Sequence, residues 1–284
     1  MKLTGLFLAL TLVFCIGAAD LNQARQAYEL TDFDGSLKIL KTLPQKDGEA
    51  LALMGRNYYM MGEYKRATDV LEKAAALEPY NSDFILWLGR AYGRRAETSN
   101  PISAMGHASK ARQYFEKSVQ LNPRNIEALN DLLEYYLDAP GIMGGGLDKA
   151  QATVNHISQV DRAEGNWAQS RLDERRKQYD SAEEHLRRAV ALAPHQVGRF
   201  IDLARFLNKR GRYQEADQNF ERALQIEPNS PKLMYARADC YVQSGRNLDL
   251  ARDLLEQYLS ATIGPEDPPK SDARKLLSQI RPGT

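Results

Sequence analysis

Apolar residues recur every three or four positions along most of this chain, the spacing that places them on one face of a helix. Between Gly48 and Asn81, Leu51, Met54, Gly55 and Tyr58 share such a face. Gly62 interrupts it, and Tyr64, Ala67, Leu71 and Ala74 form the next face, which Pro79 closes. The pattern predicts two short amphipathic helices joined by a tight turn. It then repeats. Gly55-x-x-Tyr58 returns as Gly89-x-x-Tyr92, 34 positions later. An Ala followed four places on by a large apolar residue occurs as Ala67/Leu71, Ala111/Phe115, Ala150/Val154, Ala182/Leu186, Ala216/Phe220 and Ala251/Leu255. Pro79, Pro123, Pro194 and Pro228 close four of the units. Small residues at the glycine and alanine positions let two helices approach, and the large ones fill the gaps. One helix pair cannot bury its apolar face alone, so several must stack.

The units are unequal. Ala67 to Ala111 is 44 residues, which puts about ten extra within Arg94 to His107, where Asn100-Pro101 is a turn signal. Ala111 to Ala150 is 39, an excess of five that falls in Ala139-Pro-Gly-Ile-Met-Gly-Gly-Gly146. Ala150 to Ala182 is only 32, which predicts a short, off-pattern first helix around Trp167. The predicted organisation is a leader over 1–19, a degenerate helix pair over 20–47, and an array over 48–263 with units starting near 48, 82, 126, 163, 197 and 231. A capping helix within 264–284 carries Ala273, Leu276, Leu277 and Ile280. In the third unit Leu133 stands where Gly55 and Gly89 stand in theirs, which should push that helix pair slightly apart.

Period and residue types resemble the tetratricopeptide repeat (TPR). The resemblance covers nearly all of the chain after residue 19 and is strongest in the units starting at 48, 82 and 197. It implies an all-α fold, a right-handed α–α superhelix (TPR solenoid) of about six helix pairs plus degenerate ends, with first helices lining a concave groove that binds an extended partner. In that family the groove is lined by the second, fifth, sixth, ninth, twelfth and thirteenth residues of each unit. Carried onto this chain, these positions include Arg56, Tyr59, Trp87, Arg90, Asn130, Glu134, Arg205 and Tyr235. Arg56, Arg90 and Arg205 all take the ninth position, as do Glu134 and Asp239. Arg56 and Arg90 would lie on neighbouring helices about 10 Å apart. Guanidinium forks beside the aromatic faces of Tyr59 and Trp87 suit a peptide carboxylate or an acidic segment. The plainer expectation is that Arg90 pairs with Glu134 on the next helix, an exposed contact worth about 0–1 kcal/mol. The Lys/Asn constellation with which some family members clamp chaperone tails is not reproduced.

Composition narrows the setting. The 284 residues are 43% hydrophobic and 26% charged, with a formal net charge of +1, ordinary globular values that give no bulk-charge support for a nucleic-acid partner. Residues 1–19 look like an export signal. Lys2 begins it, Leu3 to Ile16 is apolar but shorter than the roughly 20 residues of a span, and Gly17-Ala18-Ala19 places cleavage before Asp20. The expected location is therefore exported, in the periplasm, with no membrane span and with room for peripheral envelope association. Cleavage leaves Cys240 as the single cysteine, expected to be a small buried apolar residue. His107, His156, His185 and His195 are scattered, none at metal-ligand spacing, and no nucleophile elbow, phosphate loop or zinc-protease motif occurs. These observations favour a protein that is no enzyme and needs no cofactor or metal. Gly141 to Gly146 reads as a tight bulge between helices, with an exposed anion-binding loop as the other option.

Two functional readings follow. In the first, the chain is a non-catalytic scaffold that binds an extended peptide or protein in its groove and supports assembly of an envelope or secretion complex. In the second, it is an exported small-molecule binder, its pocket formed by the groove and the insertions at 94–107 and 141–146.

Overall fold

The computed structural model describes residues 20–280; the export-signal reading of residues 1–19 lies outside them. Among the described residues every regular element is helical. In chain order they are α1 (20–29), α2 (Phe33–Thr42), α3 (Gly48–Met60), α4 (Tyr64–Leu77), α5 (Ser82–Thr98), α6 (Pro101–Leu121), α7 (Ile126–Asp138), α8 (Leu147–Val160), α9 (Arg162–Arg175), α10 (Tyr179–Leu192), α11 (Val197–Lys209), α12 (Tyr213–Ile226), α13 (Pro231–Ser244), α14 (Leu248–Ser260) and α15 (Lys270–Gln279), with a 3₁₀ turn at Gly141–Met143.

Several helices start where short polar side chains can cap them. Asp47, Asn100, Asn125 and Asp161 each accept a hydrogen bond from the backbone N–H three residues on. Helices α4, α6, α10 and α12 stop two residues before Pro79, Pro123, Pro194 and Pro228, because the residue ahead of a proline is pushed out of the helical region. All six Ala/large-apolar pairs of the sequence pattern are buried.

The chain divides into two compact units at Gly146/Leu147. The division falls between α7 and α8, the helices of the repeat in which Leu133 replaces the glycine. In the first unit α2 to α7 pack successively, each on the next. Close approach within its pairs depends on missing side chains. A Cβ on Gly55 would stand 2.4 Å from Cγ of Leu71, and one on Gly89 would stand 2.8 Å from the Phe115 ring. In the second unit α9 to α13 surround a core built on Phe200, Leu203, Leu207, Phe220 and Leu233, and α8 packs on α9. Tyr241, Leu255 and Tyr258 form a further core against α15, where Ala273 is buried and Leu276 and Leu277 are half-buried.

The irregular repeats resolve in ways that spacing did not settle. The extra residues around 94–107 do not form a loop over the groove. They lengthen both helices, α5 to 17 residues against 13 in α3 and α6 to 21 against 14 in α4, with Ser99 and Asn100 as the turn. Nor is the helix around Trp167 short. Helix α9 has 14 residues. The shortfall lies in the connection before it, where Asp161 alone joins α8 to α9. Gly165 permits this, since a Cβ there would fall 2.5 Å from Cα of Ser158. The turns inside the pairs need one left-handed residue. Gly62 (φ 77°) and Gly211 (φ 75°) supply it in two repeats, and Lys177 (φ 61°) occupies the same place between α9 and α10.

Candidate functional site

On the first unit, the first helices α3, α5 and α7 bring together a cluster of cations and aromatic rings. Trp87 of α5 is its floor. The Arg56 guanidinium lies 5.0 Å from the indole centroid and the Arg90 guanidinium 4.9 Å, each a cation–π contact worth roughly 0.5–2 kcal/mol depending on burial. The edge of Tyr59 meets the same ring at 5.4 Å, and Tyr59 also meets Tyr64 at 5.6 Å. Arg94 lies 5.2 Å above Tyr64 and donates to its hydroxyl at 3.2 Å. So covered, Trp87 is only 8% exposed. An incoming partner meets the guanidinium groups before it meets the indole.

The two arginines on Trp87 differ in what holds them. Arg90 donates from Nε to Asp131 at 2.5 Å and from Nη2 to Glu127 at 3.0 Å. Its partners on α7 therefore include Asp131 and Glu127, three and seven residues before the Glu134 that position-for-position counting suggests. Burial opposes the charge on Arg90, but Asp131 and Glu127 outweigh it and hold the group more firmly protonated than usual. Burial, with Glu127 and Glu134 nearby, lifts the Asp131 carboxyl above its ordinary value even against the pull of Arg90. Arg56 has no comparable clamp. Its Nε is buried without a hydrogen-bond partner, and burial, reinforced by the nearby charge of Arg90, pushes its pKa down against the opposing pull of Tyr28, Asp83 and Glu127. A buried donor left without an acceptor costs about 1–3 kcal/mol.

Asn130 and Glu134 both sit half-buried on α7, either side of Asp131. Arg205 and Tyr235 belong to the second unit, half-buried on the mutually packed α11 and α13. The Tyr235 ring meets Tyr258 at 5.4 Å in a tilted arrangement. Position counting missed a second cation–aromatic group in that unit. Arg199 lies 5.8 Å from the Trp167 ring, is ion-paired with Glu164 and stands 3.5 Å from Asp202. The signal in the sequence is Trp167 itself, on the helix whose spacing departs from the repeat.

The remaining candidates find structural roles. The amides of Gly144, Gly145 and Gly146 donate to the carbonyls of Gly141, Pro140 and Tyr136, so the glycine loop turns its N–H groups inward and not toward an anion. Tyr135 donates to the carbonyl of Met143 and ties the loop to α7. Cys240 is buried, and burial pushes its thiol up to about 12, with the nearby Asp239 adding to the effect. His107 packs 5.7 Å from the Tyr92 ring. His185 meets Asn166 at 3.1 Å and lies 3.7 Å from Oδ2 of the buried Asp173, the same oxygen that accepts from the Ser181 hydroxyl at 2.6 Å. Ser181 thus donates to the acid and not to the histidine, which is not the geometry of an activated nucleophile. Among the described residues no group of three or more His, Cys, Asp or Glu is placed to hold a metal. No described helix is long and apolar enough to cross a membrane.

Comparison with known proteins finds tetratricopeptide repeats in the second unit. Tetratricopeptide-repeat family models match residues 166–231 and 207–280. The chain is 25% identical over 185 residues to the human protein O-mannosyl-transferase TMTC1, a match that takes in 65% of this chain but only 20% of that protein. It is 29% identical over 181 residues to the photosystem I assembly protein Ycf3 of Rippkaea orientalis, covering 61% of this chain and 84% of Ycf3. In fold it is similar to a tetratricopeptide repeat protein from Parabacteroides merdae, with a TM-score of 0.58 at 15% identity over 93% of this chain and 98% of the other. Repeated αα-hairpins with the Gly and Ala close-approach positions, matched by repeat models in the second unit, make this chain a tetratricopeptide-repeat protein.

Proposed function

We propose that the protein is a non-catalytic scaffold whose first-helix faces bind an extended peptide or protein partner, and that on the first unit the partner sets a carboxylate on Arg56. One observation carries this reading. Two arginines share the Trp87 ring, but Asp131 and Glu127 bind Arg90, while Nε of Arg56 is buried and unpartnered. Stacking fixes the guanidinium plane in advance, so an acceptor gains a charge-assisted hydrogen bond with little ordering cost. A protein partner, and not nucleic acid, fits a chain with a net charge of +1.

The setting rests on other support. Tetratricopeptide repeats are protein-interaction elements, and one relative is named for assembly of a larger complex. The leader-like pattern of residues 1–19 supports export to the periplasm. Together they favour a role in assembling an envelope or secretion complex. The test is a crosslinking pull-down from the native envelope fraction with wild type, Arg56→Lys and Arg56→Glu, followed by titration of the purified partner. A partner weakened by the lysine, which lacks the planar fork, and lost with the glutamate is the expected result. Equal retention by all three would move binding off this cluster.

A further inference from the structure

Beyond Arg94 the lengthened α5–α6 hairpin takes no part in the groove cluster. Its far end overhangs its neighbours, because α5 and α6 continue past the lengths of α3 and α4. Residues 98–109 contain no Asp, Glu, Lys or Arg, in a chain that is 26% charged. On this uncharged tip Ile102 is 87% exposed and Met105 56% exposed. They are three residues apart, hence on one side of α6. The residues around them are small: Ser99, Ser103, Ala104 and Gly106.

Charge gathers behind the tip. From Gly93 to Arg112 there are four cations, Arg94, Arg95, Lys110 and Arg112, and one acid, Glu97. Arg94 pairs with Glu97, while Lys110 and Arg112 have Glu72 at 4.0 Å and Glu116 at 3.0 Å. Arg95 donates to the Thr68 hydroxyl at 2.9 Å and lies 5.5 Å from the Tyr92 ring. Lys110 follows Ile102 by eight residues, an axial distance of about 12 Å. This is the depth profile of an interfacial element: apolar side chains about 5–10 Å into the headgroup–acyl boundary, cations at the phosphates.

We propose that the α5–α6 tip docks on an anionic phospholipid surface, with Ile102 and Met105 entering the boundary and Arg95 and Lys110 facing lipid phosphates. An acidic protein surface would engage the cations but leave the uncharged, small-residue tip without a role. A neutral apolar partner would use the tip and leave the cations unused. Two aliphatic side chains and a few cations make a weak, reversible, salt-sensitive contact.

The test is co-sedimentation of the full chain with phosphatidylglycerol–phosphatidylcholine vesicles and with pure phosphatidylcholine vesicles. Wild type should bind the anionic vesicles and release in high salt. Ile102→Asp/Met105→Asp should weaken that binding by roughly tenfold or more, and Arg95→Glu/Lys110→Glu by a comparable factor, with far-UV circular dichroism unchanged. An environment-sensitive dye on Ser103→Cys should shift to the blue only with anionic vesicles. Attachment through the apolar stretch Leu3 to Ile16 would survive both double variants and ignore lipid charge, so equal binding by wild type and Ile102→Asp/Met105→Asp overturns the proposal. It is also overturned if wild type stays in the supernatant with anionic vesicles, or if the dye remains in water while the protein sediments.

Discussion

Gly55 and Gly93 both lie inside first helices, and one added methyl group should act on them in opposite directions. Replacing a helical glycine by alanine gains about 0.5–1 kcal/mol through the backbone alone. At Gly93 nothing lies within 4 Å of the new Cβ, so Gly93→Ala should stabilise by about that amount. At Gly55 the Cβ would be 2.4 Å from Cγ and 2.7 Å from Cδ2 of Leu71. Leu71 is fully buried and has nowhere to swing. Forcing a methyl into such packing costs about 1–3 kcal/mol, so Gly55→Ala should be neutral to about 2 kcal/mol destabilising. The backbone gain cancels between the two variants, leaving a difference of about 1–3 kcal/mol that reports the clash. Urea unfolding followed at 222 nm measures it, fitted to the transition of the first unit because repeat arrays need not melt as one. A double-mutant cycle sharpens the argument. Leu71→Ala alone should cost about 2–5 kcal/mol through the cavity it leaves. In Gly55→Ala/Leu71→Ala the new methyl occupies part of that cavity, so the pair should be more stable than the singles sum to, by about 1 kcal/mol. Additive losses, or a Gly55→Ala that stabilises as Gly93→Ala does, would refute the reading that the glycine is there for close approach.

Other tests follow from the same contacts. Lys177→Gly should stabilise the second unit by about 1 kcal/mol, since φ of 61° suits glycine; an unchanged unfolding midpoint would mean the lysine side chain offsets the strain. Arg90→Gln should cost about 3 kcal/mol because it strands the Asp131 carboxylate, whereas Arg56→Gln should cost less than about 1 kcal/mol, so comparable unfolding shifts would contradict the proposed asymmetry. Cys240, raised to about 12 by burial, should resist Ellman's reagent at pH 8 until the chain unfolds. The sign of the linkage is that of a raised pKa: its contribution to stability is intact below the unfolded value near pH 9 and is lost as pH climbs toward 12, which alkaline melts with wild type and Cys240→Ala would expose.

What was legible in the chain was whatever repeats. Ala67 with Leu71 and Ala216 with Phe220 lie at the spacing of one helical turn, and burial is the only environment that explains a small and a large apolar residue recurring there; both pairs are buried. What was not legible was how a departure from the repeat is absorbed. Ten extra residues can form a loop or lengthen two helices, and the residues of 94–107 allow both, since only Asn100-Pro101 breaks the helix. The helices lengthened because propagation adds a hydrogen bond per residue while a long loop adds none. Two missing residues can shorten a helix or a turn, and they left the turn because Gly165 lets α9 come against Ser158.

The site shows the same limit in sharper form. Counting positions put Arg90 opposite Glu134, nine with nine. The structure sets the ninth residue of one first helix over the sixth of the next: Arg90 on Asp131, and Arg56 on Trp87. The second residue stands behind it, Glu127 for Arg90 and Asp83 near Arg56. One offset therefore explains both arginines and also why they differ. Where the sixth residue is an acid, the ninth-position guanidinium is saturated by its own chain. Where it is an indole, the guanidinium is oriented but keeps an unused donor. A substitution that exchanges the two environments tests this directly. Trp87→Asp should give Arg56 the carboxylate that Arg90 has, and should remove the protein's affinity for an acidic partner even though it adds no charge to Arg56 itself; undiminished binding would place the recognition elsewhere.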